Sequence, residues 1–220
     1  ACEVHLSSIS DYDSFFDLTI TGTVKPTCAT PNTRLLSWLV INEGDEWKYR
    51  DDGQEESPGW QRYNVDDSFW KSGVAPLGFS AHETDVATEV STGSDPNAKH
   101  ITTYYRKRFP LLNPSCLSRA QLSVRRQDGI VCYLNQQEVL RSNMPSGMIT
   151  HNTLAQCSSD SGLDWHRVWL NPANFRDERN VLACEVHLCA ANADDSRFDA
   201  SLEVFASQAC KMPPTLRVRE

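Results

Sequence analysis

Apolar and polar positions alternate along most of the chain in short runs, and turn residues cut those runs apart. CEVHL (Cys2 to Leu6) and FFDLTI (Phe15 to Ile20) each read as a strand, joined by the polar SSISDYDS. Beyond Arg34 the same pattern predicts strands at Leu35 to Ile41, Trp47 to Arg50, Thr102 to Phe109, Ala120 to Arg126, Ile130 to Leu134, Glu138 to Arg141, Arg167 to Leu170, Val181 to Leu188 and Ala200 to Phe205. Pro, Gly, Asn and Asp separate them at Asp51 to Gly53, Ser57 to Gly59, Asn113 to Pro114, Asp128 to Gly129 and Asn171 to Pro172. No segment keeps a helical period; Asp66 to Trp70 makes one turn at most. Many short strands with polar loops predict an all-β fold, an antiparallel sandwich or jelly roll.

The hexapeptide ACEVHL stands at Ala1 to Leu6 and again at Ala183 to Leu188, and an offset of 182 residues keeps the copies in register, with 13 of 38 paired positions identical. A self-match of this kind marks an internal repeat, so one full period plus the end of another unit is expected. The expected division is residues 1–22 as the closing strand pair of a neighbouring repeat, or one donated to another subunit, and 23–37 as a Thr/Pro linker. Residues 38–206 then form the sandwich, and 207–220 lead to the next repeat. Val4, Phe16 and Ile20 would be the apolar side chains by which the first pair packs on copies of the chain or adjacent repeats. The sequence opens inside a strand pattern with neither Met nor a signal segment, so any targeting sequence is expected upstream.

With 29 acidic against 21 basic side chains the net charge is −8, and no basic run tracks phosphates, so nucleic acid is not an expected partner. No stretch has the roughly 20 apolar residues of a membrane-spanning helix. Eight cysteines, without a CxxC pair or a His at zinc spacing, point to disulfides in an oxidising compartment and hence to an extracellular or cell-surface setting. Cys2 and Cys184 are one repeat position and Cys28 and Cys210 another. Cys116 with Cys210 is an expected pair, which would leave Cys28 to a cysteine of an upstream unit.

Four stretches resemble the galactose-binding-like jelly-roll modules of extracellular multidomain proteins: WKYRDDG (Trp47 to Gly53), VDDSFWKSGVAPLGF (Val65 to Phe79), HITTYYRKRF (His100 to Phe109), and RRQDGIVCYLNQQEVLRSNMP (Arg125 to Pro145) with NVLACEVHL (Asn180 to Leu188). The resemblance spans Trp38 to about Ala206 and implies one sandwich; it says little of ligand, because such modules differ widely in what they bind. Relatives tend to carry Val where Cys132 and Cys184 stand. Two neighbouring core strands that each replace Val by Cys are expected to be bridged.

There is no G-x-S-x-G elbow, H-E-x-x-H pair or Gly-rich phosphate loop, so no enzymatic activity is expected. His5 and His187 are repeat equivalents expected to face solvent or a neighbouring module. Sugar binding needs exposed aromatic platforms and planar polar groups; Trp60 and Trp165, in polar loops, are the platform candidates, and Asp128, Arg141 and Asn143, near loops that resemble the family's ligand-facing end, are the polar ones, whereas Trp47 and Trp70 are expected in the core. Among the acidic clusters, Asp195 and Asp199 are the candidate ligands of a structural calcium, the one cofactor the resemblance implies. The competing assignment, which we favour, has such Asp residues capping turns through their own backbone amides. The linker threonines Thr27, Thr30 and Thr33 suit O-linked glycans or a bare spacer. These features predict a non-enzymatic structural module assembling head-to-tail into a filament, stalk or coat. The alternative is a carbohydrate-binding or adhesive module of a larger secreted protein.

Overall fold

The computed structural model describes residues 35–80, 86–157 and 162–207. Among them the chain forms twelve strands: β1 Leu35–Ile41, β2 Glu46–Arg50, β3 Lys71–Val74, β4 Leu77–Ser80, β5 Thr88–Glu89, β6 Thr102–Phe109, β7 Leu117–Arg126, β8 Gly129–Leu134, β9 Gln137–Ser142, β10 His166–Leu170, β11 Asn180–His187 and β12 Asp195–Ser207. Sheet I runs β10-β7-β12-β4-β5, with β1 also paired to β12; sheet II runs β3-β2-β6-β11-β8-β9. All pairings are antiparallel except the short β4–β5 contact. From β6 to β12 the chain passes from one sheet to the other at every step but β8 to β9, so an all-β sandwich is closed by long-range pairing.

Alternation of side chains explains the core. Ala120, Leu122 and Val124 of β7 and Ala200, Leu202 and Val204 of β12 point inward from sheet I, opposite Tyr105, Ile130, Cys132, Leu182, Cys184 and Val186 of sheet II. Phe198 ties the layers, with Tyr105 stacked at 4.1 Å and Trp47 edge-on at 4.9 Å. β11 is buried at all eight positions, because loops cover the outer face of sheet II as well. A small cluster of Trp60, Trp70, Tyr104 and Ala183 lies on that face, and another of Val131, Met144 and Ala155 beside it.

Strand β1 begins at Leu35, where Leu35 pairs with Ser207, Leu36 with Ala206 and Ser37 with Phe205. Residues 35–37 are therefore strand, as their alternation predicts, and the linker expected over 23–37 does not extend across them. Strands β3, β4 and β5 escape the alternation pattern because they are two to four residues long, and β3 and β4 also flank Pro76. In β4, a Cβ on Gly78 would strike the backbone carbonyl oxygen of Ser196, so close approach to β12 requires glycine. Residues 66–70 form turns, with Trp70 N–H donating to Asp67 O at 3.1 Å.

Cys132 and Cys184 face one another in the β8–β11 ladder and are disulfide-bonded, their Cα atoms 4.1 Å apart. Cys157 and Cys189 form a second bridge, Cα to Cα 4.9 Å. Cys116 is disulfide-bonded too; Cys210, the partner expected for it, lies outside the described residues, as do Cys28, the assembly candidates Val4, Phe16 and Ile20, and Thr27, Thr30 and Thr33. The self-matching stretch that starts at Ala183 supplies most of β11, flanked by β6 and β8, and all of β12, flanked by β7 on one side and by β1 and β4 on the other.

Candidate functional site

Most residues singled out for binding sit in scaffolding. Trp60 is only 6% exposed. The loop after β2 folds back over sheet II, and Trp60 packs there against Tyr104 at 4.9 Å, Tyr133 at 5.9 Å and Trp70 at 6.4 Å. Its polar flanks suggested an exposed ring; the apolar outer face of β6 and β11 captures it instead. Asp128, at φ 64, makes the β7–β8 turn, and its carboxylate accepts from Cys189 N–H at 2.8 Å. Asn143 donates through Nδ2 to the carbonyls of Asp128 and Gln156. Arg141 forks onto Glu138 at 2.8 and 2.7 Å and donates to Pro145 O and Gly147 O. These three residues hold the 143–157 segment over sheet II.

Beneath that segment lies a buried polar group. His187 is fully buried rather than solvent-facing. Its Nδ1 is 2.8 Å from Thr153 O, which can only accept, and 2.9 Å from Thr102 Oγ1, whose own proton is directed to His151 O at 2.7 Å. Nδ1 therefore carries a proton. Nε2 stands 3.3 Å from Glu185 Oε2, and Tyr133 donates to Glu185 Oε1 at 2.7 Å. Burial, then the Glu185 carboxylate, push the Tyr133 phenol well above its ordinary range. The group clamps a loop to a sheet and is closed to solvent.

Asp199 is also buried, its carboxylate accepting from Ala200 N–H at 2.8 Å and from Gly44 N–H at 3.2 and 3.3 Å. Desolvation, partly opposed by those hydrogen bonds, raises its pKa to about 6. Asp195 pairs with Ser80 in the β12–β4 ladder. Among the described residues no three His, Cys, Asp or Glu side chains are grouped to hold a metal ion. Asp52 and Asp66 instead accept from the amides of Gln54 and Ser68, two residues on, as turn caps do.

The outer face of sheet I is different in kind. Because 120, 122 and 124 point inward, Arg119, Gln121, Ser123 and Arg125 of β7 point outward, and by the same parity so do Arg167 and Trp169 of β10 and Phe205 of β12. Trp169 is 52% exposed. Phe205 lies 5.8 Å from it, and the Arg119 guanidinium covers both rings at 4.5 and 4.8 Å. Trp165, half-buried, carries Arg125 over its ring at 4.5 Å. One of the sequence candidates is thus on this face. Sequence reasoning did not select Trp169 or Arg119; the signal for Trp169 is the alternation in HRVWL, which sends Val168 and Leu170 inward and Arg167 and Trp169 out, and for Arg119 the alternation of β7, where Ala120 and Leu122 point inward.

The described chain is, by class, an all-β sandwich of two sheets stapled by disulfides. No protein-family model matches it, and no curated protein does. Among solved structures it is similar to the β-glucuronidase 2 of Bacteroides uniformis, at 14% identity and TM-score 0.50 over 78% of this chain and 18% of that one. It is also similar to a β-glycosidase of Bacteroides vulgatus, at 16% identity and TM-score 0.46 over 74% and 20%. A β-glucuronidase of an uncultured Clostridium gives 11% and 0.45 over 78% and 29%. The chain spans about a fifth of the first of these proteins, and the likeness concerns the fold alone.

Proposed function

We propose that this chain is a non-catalytic carbohydrate-binding module of a larger extracellular protein. The observation that carries the reading is the exposed Trp169 ring on the outer face of sheet I, flanked by Phe205 and Arg119. A half-exposed indole offers flat apolar surface to the C–H face of a pyranose where Arg119 does not cover it, and planar polar neighbours pair with the sugar's hydroxyls. Disulfides at Cys132–Cys184 and Cys157–Cys189 favour an oxidising compartment. Retention on a panel of immobilised polysaccharides tests the reading. The wild-type chain should be retained by at least one, and Trp169→Ala should lose most of that retention with unfolding unchanged within about 1 kcal/mol, the scale of the lost ring contacts. No retention by any polysaccharide, or equal retention of the variant, would defeat it.

The structural-repeat reading keeps one specific support. The second repeat copy supplies strands hydrogen-bonded on both flanks, so a further copy of those strands is suited to the middle of another sandwich rather than to a free sheet edge. This favours whole sandwiches joined in tandem over strand donation between subunits. The isolated chain should then remain monomeric in light scattering as concentration rises; growth into linear species would refute it.

A further inference from the structure

We propose that the ligand is an extended acidic polysaccharide, lying along the stripe that β7 and β10 form on the outer face of sheet I; this rests on the carbohydrate-binding reading above. The stripe carries an aromatic–arginine stack at each end. Arg125 over Trp165 is one, Arg119 over Trp169 and Phe205 is the other, and Arg167, opposite Ser123 in the ladder, stands between them. Trp165 and Trp169 are four positions apart, roughly 13 Å of extended chain at about 3.3 Å per residue. A single sugar ring cannot touch both, whereas a linear polymer can.

Charge selects the class of polymer. The chain carries a net −8, yet Arg119 and Arg167 have no ion-pair partner among the described residues. Several arginines elsewhere are spent on carboxylates, Arg50 on Asp52 and Glu56, Arg106 and Arg108 on Asp67, and Arg141 on Glu138, while others such as Arg62 bond neutral groups. On this face Arg125 has a longer contact to Glu43 at 3.4 Å, and Glu203 sits opposite Gln121 in the β12–β7 ladder. The Arg119 guanidinium carbon lies 4.5 and 4.8 Å from the centroids of its two rings, contacts that restrain the head group before any ligand arrives. A guanidinium so placed matches a carboxylate bidentately, and stacking on the neighbouring indole supplies the rest of a uronate's surface.

The test is affinity electrophoresis of the whole chain in gels containing polygalacturonate, a neutral β-glucan, or no polymer, with Trp169→Ala and Arg119→Gln/Arg167→Gln compared with wild type. Wild type should be retarded by polygalacturonate at least about tenfold more strongly than by the glucan, and each variant should lose about tenfold or more, the change expected for one lost interaction of about 1.4 kcal/mol. The retardation should weaken as salt rises, and long oligouronates should compete better than the monomer. Equal retardation by the neutral glucan, with the arginine variant unaffected, overturns the acidic ligand and leaves the carbohydrate-binding reading standing. No retardation by either polymer overturns both. Competition by single-stranded DNA as effective as by polygalacturonate also overturns it, since the face would then be a general polyanion surface. Thermal unfolding of each variant, expected unchanged for exposed substitutions, separates lost binding from lost fold.

Discussion

Asp199 places a charge-dependent cost in the middle of sheet I, and its sign and size follow from where it sits. The side chain is fully buried between β12 and the turn containing Gly44, and desolvation carries its pKa from 3.8 to about 6 despite two backbone donors. Between those values the folded chain keeps a proton that the unfolded chain has released. The native state therefore binds more protons than the unfolded state, and stability falls as pH rises through this window. A displacement of this size corresponds to about 3 kcal/mol at about 1.4 kcal/mol per pH unit; the stabilisation is fully present below pH 4 and gone above pH 6. Asp199→Asn keeps Oδ1 as acceptor for Ala200 and Gly44 and cannot ionise. Urea unfolding of both proteins at pH 4, 5, 6 and 7 isolates this group, because all other titrations cancel in the difference. The variant should gain on wild type by about 2 to 3 kcal/mol between pH 4 and pH 7. Parallel profiles, or a variant that loses ground as pH rises, would show that Asp199 ionises in the folded chain as it does in water.

The double substitution Cys132→Val/Cys184→Val keeps the apolar packing while removing a cross-link between residues 52 apart; chain entropy predicts a loss of about 4 kcal/mol, to be read by chemical denaturation against the reduced and oxidised parent. Gly78→Ala forces a methyl into Ser196 O and should cost about 1–3 kcal/mol or more, visible as a lowered melting temperature. Trp60→Ala should cost about 3–5 kcal/mol by emptying a core cluster yet leave glycan retention at permissive temperature intact, the reverse of Trp169→Ala. Retention that falls with Trp60→Ala while stability holds would restore Trp60 as a contact residue.

Strand positions were legible wherever alternation ran for five residues or more, because period two directly encodes which side chains meet the core; β1, β2, β6, β7, β8, β10, β11 and β12 all carried it. Short strands were not, since two to four residues contain too few periods to register, and β3, β4 and β5 exist through ladder bonds to β2, β12 and β4. The site was legible only in part. Trp165 was picked out from its polar surroundings, but the same criterion selected Trp60, whose ring is buried by a fold-back that local composition does not encode. His187 misled for a related reason: alternation assigns it a face of β11, and in an isolated sheet that face would be wet, whereas here the 143–157 segment covers it.

What the sequence by itself determined is the class of fold, the number of cysteines and the self-match at an offset of 182 residues, all properties of spacing along the chain. Tertiary structure decided which polar and aromatic residues are available. Two loops close over the outer face of sheet II and convert Trp60, Asp128, Arg141 and Asn143 into supports, while the outer face of sheet I keeps Trp169, Arg119 and Arg167 in reach of solvent. The physical reason is that parity assigns a side chain to one of two faces, but whether that face meets water depends on segments far away in sequence that pack over it.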